Sequence, residues 1–353
     1  MMIKRSLATM IALMLSTSGF AASNDLSPAQ SGSVLQTPAE QHVEGELSSD
    51  PQQRIQQLSY MAQDQSQSIQ NRTGALRALG AYPSQNALVA VARGLKDSNS
   101  EVREAAVIGA APYPFEHRWT LVSPLLNDES EMVKHSAASN LVRDYGAMNA
   151  DQKAQLDEPV TSLIEFLEQQ QTQEYQLLLA DVLRWYAHPD KAETIYLELV
   201  KTRSEDPQVW LSFADNYRAQ GRDKEAVSIL DRGLEKMPDN AALHYSKSLT
   251  LVRLEDKSAA AAEIEKAAHL AKDNSYYWYL NGVLQEPLSI DRSTESFEKA
   301  YMISGAPEQL YAVCDIYVRY GHQKSDECLS ELGKVAPDYV IKQLEEKRVA
   351  PSS

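Results

Sequence analysis

Residues 207–240 read PQVWLSFADNYRAQGRDKEAVSILDRGLEKMPDN. Apolar residues recur at helical spacing on both sides of Gly221, and Pro238 closes the stretch, so it encodes two short helices joined by a tight turn. The pattern returns in steps of 34: Ala180, Ala214, Ser248 and Gly282 form one series, and Ala192, Ala226 and Ala260 another. Larger residues follow the same step in Leu183, Tyr217 and Leu251, and in Tyr196, Leu230 and Ile264. Small residues let the helices of a pair approach, while the large ones fill the space between them.

Trp210, Ala214, Tyr217, Ala226, Leu230 and Pro238 make this unit resemble the tetratricopeptide (TPR) repeat, and the array is expected over 173–340 with a tail at 341–353. Lys247 stands where an apolar residue is usual. The unit from 275 is one residue short in its turn, so Ser293, Phe297 and Ala300 carry its second helix. A weaker last unit, 306–337, holds Gly321, Ser325, Leu329, Leu332 and Pro337.

Upstream the step changes to 31. Arg72, Ala75 and Tyr82-Pro83 match Arg103, Ala106 and Tyr113-Pro114, while Leu95, Asp97 and Val102 match Leu126, Asp128 and Val133. The run from Leu95 to Ala106 resembles the HEAT repeat, so HEAT-like hairpins are expected over 51–146. The first has Ser66 at the Asp position. The Asp of each turn is expected to cap the second helix. Residues 147–172 then supply a connecting helix. The fold class is all-α, an α-solenoid.

The first 21 residues carry Lys4, Arg5, an apolar run from Leu7 to Leu15, and small residues before Ala22: a secretory signal peptide, too short to span a bilayer. Residues 22–50 are polar and read as a disordered tether. Periplasmic location follows if the source is a diderm bacterium. The chain carries a net charge of −15, and losing Lys4 and Arg5 with the leader makes it two units more negative. Such a charge disfavours nucleic acid and anionic lipid, and no later segment is apolar enough for membrane insertion. The two cysteines, Cys314 and Cys328, can pair in an oxidising compartment or stay as separate thiols; spacing alone does not decide.

Chemistry is not encoded in any pattern along the chain. The seven histidines are scattered, no nucleotide-binding or metalloprotease motif occurs, and no C-x-x-C-H exists for haem attachment. No metal, cofactor or catalytic residue is expected. Asp215 with Arg218 repeats Asp181 with Arg184 one unit earlier, with a looser echo in Asp315 and Arg319; charges recurring at one repeat position read as an i,i+3 structural ladder. Arg222 and Asp223, in the turn, are expected to be solvated. What remains is a row of positions on the first helix of each TPR-like hairpin: Tyr245, Leu249, Tyr276 and Tyr279, with Asp181, Arg184, Asp215 and Arg218 beside them. In TPR arrays these positions line a concave groove suited to protein or peptide. The alternative is that this face packs against the chain's own C-terminal helix, 338–348.

Residues 70–341 as a whole resemble the C-terminal helical-repeat part of certain periplasmic multihaem cytochromes c, without their haem-bearing domain. The resemblance implies architecture and compartment, and suggests by analogy a role in assembling a cytochrome c-type complex. A second reading, haem held without covalent attachment by His117 or His135, makes the chain a redox subunit instead.

Overall fold

The computed structural model describes residues 47, 48 and 50–348. The expected leader and nearly all of the tether lie outside them, as do residues 349–353. Among the described residues there are eighteen α-helices, two short 3-10 segments and no strand, so the chain is an all-α helical-repeat protein. No helix among them is long and apolar enough to cross a membrane. Two compact units divide the described chain between His188 and Pro189.

The first unit holds α1 (Pro51–Gln63), α2 (Ile69–Leu79), α3 (Gln85–Gly94), α4 (Ser100–Gly109), α5 (Phe115–Val122), α6 (Glu131–Val142), α7 (Ala150–Glu168) and α8 (Gln173–Trp185). Helix α8, assigned by the 34-residue step to the second array, thus lies in this unit. Side chains at the helix starts determine where each begins: Asp50, Ser68, Ser84 and Asn99 accept from backbone N–H groups of the first turns of α1 to α4, and Asn149 and Gln152 form a capping box on α7. The second helices α2, α4 and α6 stack in succession. Their approach is close: a Cβ on Gly109 would lie 2.5 Å from the Leu76 carbonyl oxygen.

Asp97 and Asp128 correct one expectation, because neither caps a helix. Asn99 caps α4, and Asp97 accepts the Asn99 N–H at 2.9 Å while its other oxygen takes the Arg72 guanidinium from the preceding hairpin. Asp128 repeats the arrangement. It accepts from Ser130 N at 2.9 Å and is bound by Nε and Nη2 of Arg103, both at 2.8 Å. Burial alone would raise both carboxyls, but the guanidiniums and turn N–H groups hold them below the ordinary range. The 31-residue step therefore carries an Arg–Asp ladder that ties each hairpin to the next.

The second unit runs α9 (Pro189–Thr202), α10 (Pro207–Ala219), α11 (Asp223–Lys236), α12 (Ala241–Arg253), α13 (Lys257–Leu270), α14 (Ser275–Gln285), α15 (Ile290–Ser304), α16 (Pro307–Arg319), α17 (Ser325–Leu332) and α18 (Asp338–Glu345). Helices α10 to α17 are four hairpins. Asp206, Asn240 and Asn274 cap the first helices of three of them at a step of 34, a row the repeat residues alone did not bring out, and the fourth begins after Ala306 without a side-chain cap. Three of the four hairpins also share the turn between their helices; the shortened turn of α14–α15 closes instead with the Leu288 and Ser289 N–H groups on the Gln285 carbonyl. Arg222 N bonds Tyr217 O at 2.9 Å, Asp256 N bonds Leu251 O at 3.0 Å, and His322 N bonds Tyr317 O at 2.8 Å, each over a residue of positive φ. That residue is Gly221 (72°) and Gly321 (67°), but it is Glu255 (61°) in the second hairpin.

The small-residue series positions the helices. A Cβ on Gly282 would meet the Phe297 ring at 2.7 Å, and Ser293 at the facing small position donates its hydroxyl to the Gly282 carbonyl at 2.7 Å. Cys314 of α16 and Cys328 of α17 are joined in a disulfide, with Cα atoms 5.4 Å apart.

Candidate functional site

The first helices α10, α12, α14 and α16 place equivalent residues in rows. The fourth residue of each is Trp210, His244, Trp278 and Leu310. Trp210 and Trp278 donate their indole N–H groups to the carbonyls of Ser204 and Lys272, both at 2.9 Å, and so hold the turn before the helix. His244 occupies the same place and is a packing residue, as its position in the repeat implies.

Lys247 is accommodated by charge. Its ammonium lies 2.7 Å from Asp231 and 3.0 Å from Glu263, and the Glu263 carboxylate also faces His244 Nδ1 at 2.5 Å and Lys266 at 3.2 Å. Burial would raise the Glu263 carboxyl, yet bonds from His244, Lys247 and Lys266 bring it down to about 2.

Asp215 and Arg218 form an ion pair, and the guanidinium continues to the next hairpin, donating to Ser246 Oγ and Thr250 Oγ1 at 2.8 Å and to Ser246 O at 3.1 Å. Asp181 and Arg184 pair at 3.1 Å in the first unit, where Asp181 is 2% exposed and Arg184 also lies over the Trp185 ring. Both are i,i+3 pairs, each along one helix, and Arg218 also reaches the next hairpin. Arg222 and Asp223 are not free in solvent, contrary to expectation. Arg222 bonds Glu193 at 2.9 Å and Glu225 at 3.0 Å and covers the Tyr217 ring, and Asp223 takes Arg253 at 2.7 Å. Tyr217 donates to Glu193 at 2.8 Å, and burial with this carboxylate pushes its hydroxyl up to about 12.

The fifth residues are Leu211, Tyr245, Tyr279 and Tyr311, and Tyr276 lies beside them at the second position of α14. Tyr245 is buried, 8% exposed, stacked on Tyr277 at 4.8 Å and edge-on to Tyr276 at 6.3 Å. Tyr276 and Tyr279 are half-buried, Tyr279 leaning on Phe297 with centroids 5.6 Å apart. Burial, with Tyr276, Asp315 and Tyr311 nearby, pushes the Tyr279 hydroxyl up to about 12. The ninth residues run Asp215, Leu249, Val283 and Asp315, so two carboxylates flank two apolar side chains. The C-terminal helix takes part of this face: Leu344 is fully buried in the cluster around Cys314, with Tyr279 and Tyr311 packed against the same cluster. Both readings of the row thus find side chains to support them, with α18 at the α16 end and Tyr276 and Leu249 away from it.

His117 lies exposed on α5, and His135 is buried on α6, its Nε2 3.2 Å from Ser162 Oγ and its ring against Phe166. Burial lowers the His135 pKa. Among the described residues no three His, Cys, Asp or Glu side chains converge as metal ligands.

No protein-family model matches the chain, and no curated protein does. Among solved structures, YrrB, described as a TPR protein with an unusual peptide-binding site, is 19% identical over 53% of this chain and 97% of its own, with a TM-score of 0.41. MamA is 19% identical over 48% of this chain and 95% of its own, at 0.38, and MamA 41-end from Desulfovibrio magneticus RS-1 is 17% identical over 45% and 94%, at 0.37. Likenesses this loose carry no argument about activity or partner. The fold rests on the helices and repeats of the chain itself.

Proposed function

We infer that the chain is a non-catalytic scaffold or adaptor that binds a protein or peptide on the first-helix face of its second unit. The observation that carries this reading is the tyrosine row. Tyr276 and Tyr279 are half-buried, next to Tyr245 on one side and Tyr311 on the other, across three successive first helices. Aromatic side chains with one apolar face and one hydroxyl supply contact area and hydrogen bonds at small cost in conformational entropy. Repeat arrays suit the role because such positions vary without disturbing the packing between hairpins. The leader-like N-terminus and the resemblance to the repeat region of multihaem cytochromes suggest the periplasm and the assembly of a cytochrome c-type complex.

Fractionation of a tagged chain tests the compartment, and capture from a periplasmic extract tests the rest. Tyr276→Ala with Tyr279→Ala should lose the captured partner while the helical CD signal stays. Capture undiminished by the double variant would refute the binding face; loss of the CD signal would make these two tyrosines core residues.

A further inference from the structure

We propose that the tyrosine row takes a segment whose apolar residues are flanked by Lys or Arg, and that Lys347 occupies its last station as a built-in competitor. This rests on the binding face proposed above and names the chemistry of its partner.

Three contacts define the station. Lys347 Nζ lies 2.7 Å from Asp315 Oδ1, 3.2 Å from the Tyr311 hydroxyl, and 5.6 Å from the centroid of the Tyr311 ring. A carboxylate beside an aromatic face is a general receptor for an ammonium or guanidinium, with no demand on the rest of the ligand. The other Asp315 oxygen is bound by Arg319 of the same helix at 2.6 Å, which holds the carboxylate in place for the incoming cation.

The row repeats this chemistry at its other end. Asp215 stands at the ninth position of α10 as Asp315 does in α16, while α12 and α14 offer Leu249 and Val283 there, with Tyr245 and Tyr279 one turn earlier. Asp215 keeps a side chain 39% exposed although paired with Arg218. The order acid, apolar, apolar, acid along four helices is complementary to a segment with cations at its ends and apolar residues between. The net charge of −15 draws such a segment in.

The competitor is loosely held. Leu344 is fully buried and anchors α18, but Lys347 follows the end of that helix and is exposed, its side chain 39% accessible. Lys347 itself is exposed although Asp315 is mostly buried, so a basic ligand displaces it at a cost of about two- to fivefold in affinity, or about 0.4–1 kcal/mol.

The test uses the full chain and three fluorescein-labelled dodecapeptides: Leu and Val flanked by Lys, the same with Glu for Lys, and the same with Ser for Leu and Val. Anisotropy at low salt should show binding of the first peptide at least tenfold tighter than either other. Lys347→Ala should tighten it two- to fivefold, and Asp315→Asn should weaken it at least fivefold. Amide exchange in 338–348 should quicken when the Lys peptide is bound. Equal or tighter binding of the Glu peptide, or no binding of any peptide, overturns the proposal, and an affinity unchanged by Lys347→Ala overturns its competitor. Should Tyr276→Ala with Tyr279→Ala leave Lys-peptide binding intact, the binding face itself is wrong. Should that variant weaken binding while Lys347→Ala does nothing, the face stands and only the competitor falls.

Discussion

His244 Nε2 lies 2.8 Å from the Pro238 carbonyl oxygen, six residues back, the same spacing at which Trp210 reaches Ser204 and Trp278 reaches Lys272. One position of the repeat therefore has one mechanical task, fastening the inter-hairpin turn, which two different ring systems perform. His244 adds a second bond to Glu263 that no indole could make, and with it the charged cluster around Lys247.

Replacing the fastener should cost more at His244 than at Trp278. Trp278→Phe removes one hydrogen bond and should destabilise by about 1 kcal/mol. His244→Phe removes two and strips a partner from a buried carboxylate, so about 2–4 kcal/mol is expected. Urea midpoints measure the difference, and equal costs would show that the Glu263 contact is idle.

Acid should unfasten the same cluster. The Glu263 carboxyl sits at about 2 when folded, against 4.5 ordinarily. Its stabilisation is fully present above pH 4.5 and is lost as the pH falls toward 2, with an upper bound of about 3 kcal/mol. Glu263→Gln should flatten the dependence of thermal midpoint on pH between about 5 and 2 relative to the native chain.

In the first unit, Arg103 is the residue to remove. Its side chain and that of Asp128 are both nearly buried, and the guanidinium also donates to the carbonyls of Asp97 at 2.9 Å and Ser98 at 3.1 Å. Arg103→Ala leaves a buried carboxylate without its cation and should cost about 3–5 kcal/mol by chemical denaturation. A loss below about 1 kcal/mol would mean that solvent reaches Asp128 instead.

Glu255→Gly should stabilise. Glu255 holds φ at 61° in the turn where the first and last of the four hairpins use Gly221 and Gly321. Relief of the left-handed conformation favours glycine by roughly 1 kcal/mol, from which glycine's greater freedom in the unfolded chain subtracts. A net gain of about 0.5 kcal/mol is expected, read as a rise in thermal midpoint, whereas Gly221→Ala should lower it.

Repetition is what made the fold legible. Ala214, Ser248 and Gly282 fall at one step because neighbouring helices press on the same spot in each hairpin, so the constraint is written several times along the chain. Pairs that are local, such as Asp215 with Arg218, could be read as well. The errors lie where a side chain chooses between a near partner and a distant one. Asp97 looked like a cap, but Asn99 is nearer to the helix and the carboxylate is taken by Arg72 from the hairpin before. Arg222 looked solvated because one of its two partners, Glu193, lies 29 residues upstream on the preceding hairpin. Tyr245 was legible as a first-helix residue, but its depth depends on Tyr277 stacking over it, which no spacing states.

The Arg–Asp ladder also bears on how such a chain could grow. Excise residues 73–103, one whole period, and Arg72 stands as far ahead of Asp128 as it now stands ahead of Asp97. Insertions or losses in whole periods keep the Arg–Asp pairs of this ladder in register, whereas any other length separates one of them. A length change within this region is therefore tolerated by the ladder only in units of 31 residues.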